Sequence, residues 1–349
     1  MGTLANCAGG LTPWGTFLTC EENYDLFWGE RKSDGAIKAS MYGWEAFFSA
    51  PPEHYGWVVE INPTTKLARK LVALGRFAHE SATVVALPDG RAVVYSGDDA
   101  NDQCLYKFIS SKPNDLSEGT LYVADLTKGE WLSLEYAAQP ALQKAFKSQT
   151  EVLVRCRQAA DLLGGTKLDR PEDIEIQPGT GDVIVSLTNN KPKGNFFGSL
   201  LRLRELDGHA GRRFESSTFL AGGPETGFAC PDNLAFDRKG NLWMTSDMYG
   251  GDMKNPKLEP FGNNGLFYVP LSGPEAGKVL QVASAPMDAE FTGPTFLPDG
   301  ETLLVCVQHP GELTTDLANP TSRWPNGGTD LPRSAVVAIS GPALKQLLA

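Results

Sequence analysis

HESATVVALPDGRAVVYSGDD, residues 79–99, reads as a short strand, a tight turn at Asp89-Gly90 and a second strand. β-branched runs on either side of Asp-Gly are a strong local signal for a β-hairpin. The same unit returns as PEDIEIQPGTGDVIVSLTNN at 171–190, PDNLAFDRKGNLWMTSD at 231–247 and TGPTFLPDGETLLVCVQ at 292–308. The turn glycines are Gly90, Gly181, Gly240 and Gly300, separated by 91, 59 and 60 positions. A period near sixty, with one gap wide enough for an extra blade or a helical insert, points to radial repetition, the sequence mark of a β-propeller. A two-sheet sandwich would also give many hairpins, but not one repeated unit.

Working outward, most of the remaining text is also β: YGWVVEI, GLFYVPL and SAVVAIS are further strand runs. Thirty-seven glycines and 24 prolines favour short strands and turns over long helices. Amphipathic helix is expected only over about 130–163, as an insert, and at 342–348. The expectation is one all-β propeller domain over 1–349.

The register of the repeat carries the chemistry. An acid stands eight to ten positions before each turn glycine: Glu80, Glu172, Asp232 and Glu290. Equivalent positions in different blades lie on one ring about a propeller axis. Carboxylates gathered on such a ring repel one another in a partly buried site, and bound cations remove that penalty. The plain alternative is that these acids only end strands in solvent.

A second informative stretch is NCAGGLTPWGTFLTCEEN, residues 6–23. It sets the thiol of Cys7 ahead of two adjacent carboxylates, Glu21 and Glu22, with a Gly-rich turn between them. A thiol and a carboxylate at the two ends of such a segment can face one metal. Glu21 points away from Glu22 if the strand continues. Asp98 and Asp99 suit calcium or a strand end equally well. His79 and His309 read as hydrogen-bonded structural histidines.

The net charge of −11 argues against a nucleic-acid partner, which needs a basic surface. Bound cations would still permit a small phosphorylated substrate. No run of eighteen apolar residues is present, so no membrane span is expected. The first residues, MGTLANCAGG, lack the basic and apolar regions of a secretory signal. Six scattered cysteines form no CxxC pair, so zinc-finger and thioredoxin readings fail.

The chain resembles the PhoX-type alkaline phosphatases, which are β-propeller enzymes. The resemblance rests on NCAGGLTPWGTFLTCEEN, YGWVVEINP, ALGRFAHESATVV, VVYSGDD, YKFISS, GTLYVA, DLLGGTKLDRPEDIEIQP, SLTNN, CPDNLAFD, FTGPTFLPDG and VQHPGE. It implies six blades and an iron–calcium cofactor, Fe(3+) with Ca(2+). Carried over by motif, Cys7 becomes a thiolate ligand to iron and Glu22 an iron or calcium ligand. Glu80, Glu172 and Asp232 complete the cage, and Arg170 of RPED contacts the substrate phosphate. The repeat register adds Glu290 to the metal ligands. The implied enzyme is a metal-dependent phosphomonoesterase acting on small phosphorylated substrates, periplasmic or secreted, with a monomer as the default state. Relatives usually carry an export signal and further chain before NCAGG. This chain starts almost at the motif, so the expectation extends to an N-terminal blade short of strands. Two rivals remain: a calcium-dependent propeller lactonase or esterase, and a non-catalytic propeller that binds a ligand.

Overall fold

The structure, a computed structural model, describes residues 2–32 and 34–348. The fold class is the all-β propeller with a small helical content, and the described residues form five blade sheets. The first sheet runs Asn6–Leu11, Phe17–Glu21, Val58–Ile61, Ala68–Lys70. The second has five strands, Thr83–Ala86, Ala92–Gly97, Leu105–Lys112, Asp115–Asp125 and Glu130–Ser133. The third runs Pro171–Ile176, Val183–Leu187, Ser199–Glu205, Phe214–Ala221, and the fourth Pro231–Phe236, Leu242–Ser246, Gly265–Val269, Leu280–Ser284. The fifth has three strands, Glu290–Phe296, Leu303–Gln308 and Ala335–Ile339.

Five blades, not six, correct the expectation taken from the resemblance. The wide gap between Gly90 and Gly181 holds no extra blade among the described residues, only a two-stranded pairing of Asn101–Gln103 with Leu168–Asp169. It is spent on the long third and fourth strands of the second blade and on helices Pro140–Ala145, Gln149–Val154 and Cys156–Leu163. The described residues of 22–57 and 309–334 contribute no blade strand either. The N-terminal sheet has its four strands; the three-stranded sheet is the last. The helical stretch also begins later than 130, because Glu130–Ser133 pairs with Asp115–Asp125.

Each repeated hairpin forms as its sequence dictates. The turn glycines Gly90, Gly181, Gly240 and Gly300 all have positive φ, between 67° and 83°. A side chain is disfavoured there. The preceding aspartates lock the turns: Asp89, Asp237 and Asp299 each accept backbone N–H bonds from residues just past the turn. The second strands Ala92–Gly97, Val183–Leu187 and Leu242–Ser246 are buried along nearly their whole length, so they read as continuous apolar runs, while Leu303–Gln308 alternates.

The chain divides into two compact units, Met1–Ile174 with Leu203–Ser216, and Glu175–Arg202 with Ser217–Ala349. In the first, Leu18, Val58, Val94, Tyr106 and Phe108 pack with Leu142, Val152 and Ala159 of the helices. In the second, one cluster gathers Trp243, Tyr268, Phe291, Leu303 and Val305, and another Ile184, Leu200, Phe228 and Met244.

Candidate metal centre

An antiparallel hairpin brings the start of its first strand beside the end of its second. Glu22 N–H donates to Ala5 C=O at 3.0 Å, Asp99 N–H to Ala78 C=O at 3.0 Å, and Asp247 N–H to Cys230 C=O at 2.9 Å. One end of each of these three blades therefore carries two polar residues: Cys7 with Glu22, Glu80 with Asp99, Asp232 with Asp247. In the fifth blade His309 follows the second strand and meets Glu290 at the head of the first.

The backbone leading into these positions repeats as well. Ala5, Arg170, Cys230 and Asp288 have φ of 50°, 55°, 51° and 58°. Each lies two residues before Cys7, Glu172, Asp232 or Glu290. Left-handed backbone is uncommon for residues with a Cβ and is concentrated at functional sites. Register shifts at Asn6/Gly9 and Pro231/Leu234 mark bulges over Cys7 and over Asp232. Bulges of this kind re-aim side chains.

In the first unit, Cys7, Glu22 and Glu80 place one ligand atom each within 4.8 Å of the others. The Cys7 thiol donates to Glu80 Oε1 at 2.8 Å. Both carboxylates are buried, while Cys7 is exposed. Burial, followed by the negative charge of Asp99, pushes Glu80 up to about 8. Burial and then Glu80 and Asp99 hold Glu22 well above the carboxylate range. Like charges so close and so dry call for a cation. Two hard oxygens and one sulfur suit iron, and the carboxylates also suit calcium.

Arg170 faces this cluster's acids. Its Nε and Nη2 bond Asp99 at 2.8 and 2.9 Å, and Nη2 lies 2.6 Å from Glu172 Oε1. Asp173 and Arg170 both act on the charge of Glu80. The adjacent acids Glu21 and Asp98 do different work. Glu21 accepts from the N–H groups of Leu4, Gly56 and Trp57 and from Lys70. Asp98 accepts from Ala78 N–H and is gripped by Arg157 through Nε and Nη2. His79 is fully buried, bonded to Ser96 and Gly75, with its pKa lowered by burial to about 3.

In the second unit, Asp232 accepts from Asn233 Nδ2 at 2.8 Å, and Asn233 Oδ1 accepts from Gly293 N–H at 2.7 Å. His309 Nε2 lies 3.1 Å from Glu290 Oε1. Burial opposes the charged histidine, but the bond to Glu290 outweighs it and raises His309 to about 9. Burial and then Asp247 raise Glu290 to about 7.

Asp99, Asp247 and His309 are the residues that sequence reasoning did not assign. The signal was the last letters of the repeated hairpins, SGDD, TSD and VQH, which occupy one structural position. Cys7 also belongs to the register of the ring acids, since it stands eight positions before the left-handed turn glycine Gly15. A search for acids alone passes over it.

The profile of the family described as alkaline phosphatase PhoX matches residues 1–311. The structure is similar to that of Pseudomonas fluorescens PhoX in complex with vanadate, a transition-state analogue, with a TM-score of 0.85 and 32% identity. That match covers 97% of this chain and 70% of the other. A GH43 β-1,3-galactosidase comes next at a TM-score of 0.46 and 11% identity, covering 97% of this chain and 90% of its own. An α-L-arabinofuranosidase from Lactobacillus brevis stands at 0.43 and 8%, covering 96% and 90%. Likeness that slight bears on nothing further. No curated protein sequence matches. The chain belongs to the alkaline phosphatase PhoX family, and it is a phosphomonoesterase.

Proposed function

We propose that the chain hydrolyses small phosphate monoesters at a centre of ferric and calcium ions, with Cys7, Glu22, Glu80 and Glu172 among the ligands. The observation that carries this is the cluster of Cys7, Glu22 and Glu80, a thiol and two buried carboxylates within 4.8 Å. The family resemblance and the repeat register add Asp232 and Glu290, each at the head of its blade's first strand. When bound, such cations supply Lewis-acid stabilisation of phosphoryl oxygens and of the leaving oxygen.

The chain's own residues do the rest. Arg170 supplies positive charge to the phosphate oxygens, and Asp99, gripping Nε and Nη2, holds its guanidinium in orientation. Burial disfavours the charged forms of Glu80 and Glu22, so a cation beside them is what draws off their protons and holds them ionised. The same family resemblance supports an exported enzyme.

Elemental analysis and a visible spectrum on the purified chain test the centre. Iron with calcium, and a ferric–thiolate absorption band, are expected. Cys7→Ala is expected to lose iron and to lower phosphate release from an aryl phosphate by more than about 100-fold. Full activity in that variant would remove the thiolate from the centre.

A further inference from the structure

A cavity of about 320 Å³ lies within the first unit. Its walls come from the segment after the first blade's second strand and from helices Gln149–Val154 and Cys156–Leu163. Arg31, Lys32, Arg76, Arg155 and Arg157 line it, against three carboxylates. Five positive and three negative groups leave the lining at +2, on a chain whose net charge is −11. None of Cys7, Glu22, Glu80 and Arg170 belongs to the lining.

The carboxylates fix the arginines in place. Glu30 holds Arg76 at 3.0 Å, Glu151 holds Arg155 at 2.9 Å, and Glu53 pairs with Arg31. Two donors remain. The Lys32 ammonium has no hydrogen bond or ion pair among the described residues. Arg157 spends Nε and Nη2 on Asp98, while its Nη1 makes no hydrogen bond among the described residues. Arg155 to Gln158, the first turn of helix Cys156–Leu163, also lines the cavity, with no side chain capping that end.

We propose that this cavity is an accessory binding site for a phosphate group, separate from the metal centre and so beyond the phosphatase reading. The remaining guanidinium N–H groups and an ammonium match a tetrahedral dianion, and two net positive charges balance it. The volume exceeds that of one such anion, so the phosphate is either free or carried on a small organic group.

Equilibrium dialysis of the metal-loaded enzyme against radiolabelled inorganic phosphate tests this. Two sites per chain are expected, one at the metal centre and one in the cavity. Lys32→Ala with Arg155→Ala alters two partly or fully exposed side chains outside the metal centre. The double variant is expected to keep its metal content and melting temperature, and to bind one of the two phosphates about tenfold more weakly or worse. Unchanged binding in the double variant, or a single site in the wild type, overturns the proposal. Arg170→Ala separates the two readings, since it weakens the metal-centre phosphate only. Phenylphosphonate, a non-hydrolysable monoester mimic, is then titrated against the label on Arg170→Ala. Displacement below the phosphate concentration that achieves it assigns the site to monoesters. The reverse order assigns it to free phosphate.

Discussion

Two pairs of adjacent acids divide their roles by the alternation of a strand. Glu21 and Asp98 turn into the protein and are satisfied by backbone N–H groups and by Lys70 or Arg157. Glu22 and Asp99 turn to the other side and join the metal-centre cluster. Arg170 depends on the same geometry, because its grip on Asp99 is bidentate. Arg170→Lys keeps the charge and loses the fork. Steady-state kinetics are expected to show KM for an aryl phosphate raised about tenfold, with metal content unchanged. A KM equal to wild type would mean the fork is idle. At this scale the sequence discloses the acids that begin each hairpin, through their fixed distance from a turn glycine. Asp99 and Asp247 were harder to read, because an acid just past an apolar run also serves to end a strand.

At the scale of elements, the hairpin is the unit that aims the chemistry. Its entry residue is left-handed in four blades, yet the residues there are Ala5, Arg170, Cys230 and Asp288, with no glycine among them. Of those residue types only the aspartate is enriched in that conformation, and three of the four are not, so the entry kink was not legible in the sequence. Left-handed backbone costs a residue with a Cβ about 1–2 kcal/mol. Ala5→Gly is expected to leave stability unchanged or raise it. Ala5→Val, with a branched Cβ, is expected to lower it by about 1–2 kcal/mol and to reduce metal content. Thermal melts with metal analysis check both, and equal melts for the two variants would refute the kink. The first blade has a separate anchor in Glu60. It accepts from Trp14 Nε1 at 3.0 Å, from Thr16 Oγ1 at 2.7 Å and from Arg69 Nε at 2.7 Å. Burial opposes the charged form, but these donors outweigh it, and its pKa lies below the usual glutamate value. Glu60 therefore favours the folded state above that usual value, and the contribution fades as pH falls through the lowered one. Glu60→Gln is expected to cost about 2 kcal/mol at pH 7. Denaturant melts should show the gap to wild type closing below about pH 4. A gap that persists in acid would assign the cost to packing.

At the scale of the whole molecule, the hairpin period foretold a propeller but not its blade number. The period counts inner hairpins, and one of the five is marked by Cys7 where the others carry an acid. Length alone also misleads, because the described residues of 22–57 and 309–334 consume chain without adding a blade strand. The family profile ends at residue 311, and the remaining C-terminal residues supply the third strand of the last blade and helix Pro342–Leu348. An acidic chain of net charge −11 with buried carboxylates is expected to lean on its cations for stability. Cations held at about 100 times their Kd contribute about 2.7 kcal/mol. Exhaustive chelation is expected to lower the melting temperature by about 5 °C or more, with recovery on adding iron and calcium back. An unchanged melt would show that the carboxylates are balanced without metal.

Cys7 is the exposed thiol of the described chain, where Cys20, Cys104, Cys156 and Cys230 are buried and Cys306 is half-buried. In the proposed centre this sulfur is a ligand within reach of solvent, which has a consequence for how the protein must be made. Empty molecules offer that sulfur to peroxide, and once it passes to sulfinic acid the site does not recover. A metal bond to Cys7, as the proposed centre has it, would shield it. Loading before exposure to oxidant thus decides the usable fraction of a preparation, and the mass of a maleimide adduct on Cys7 counts the molecules that missed their turn.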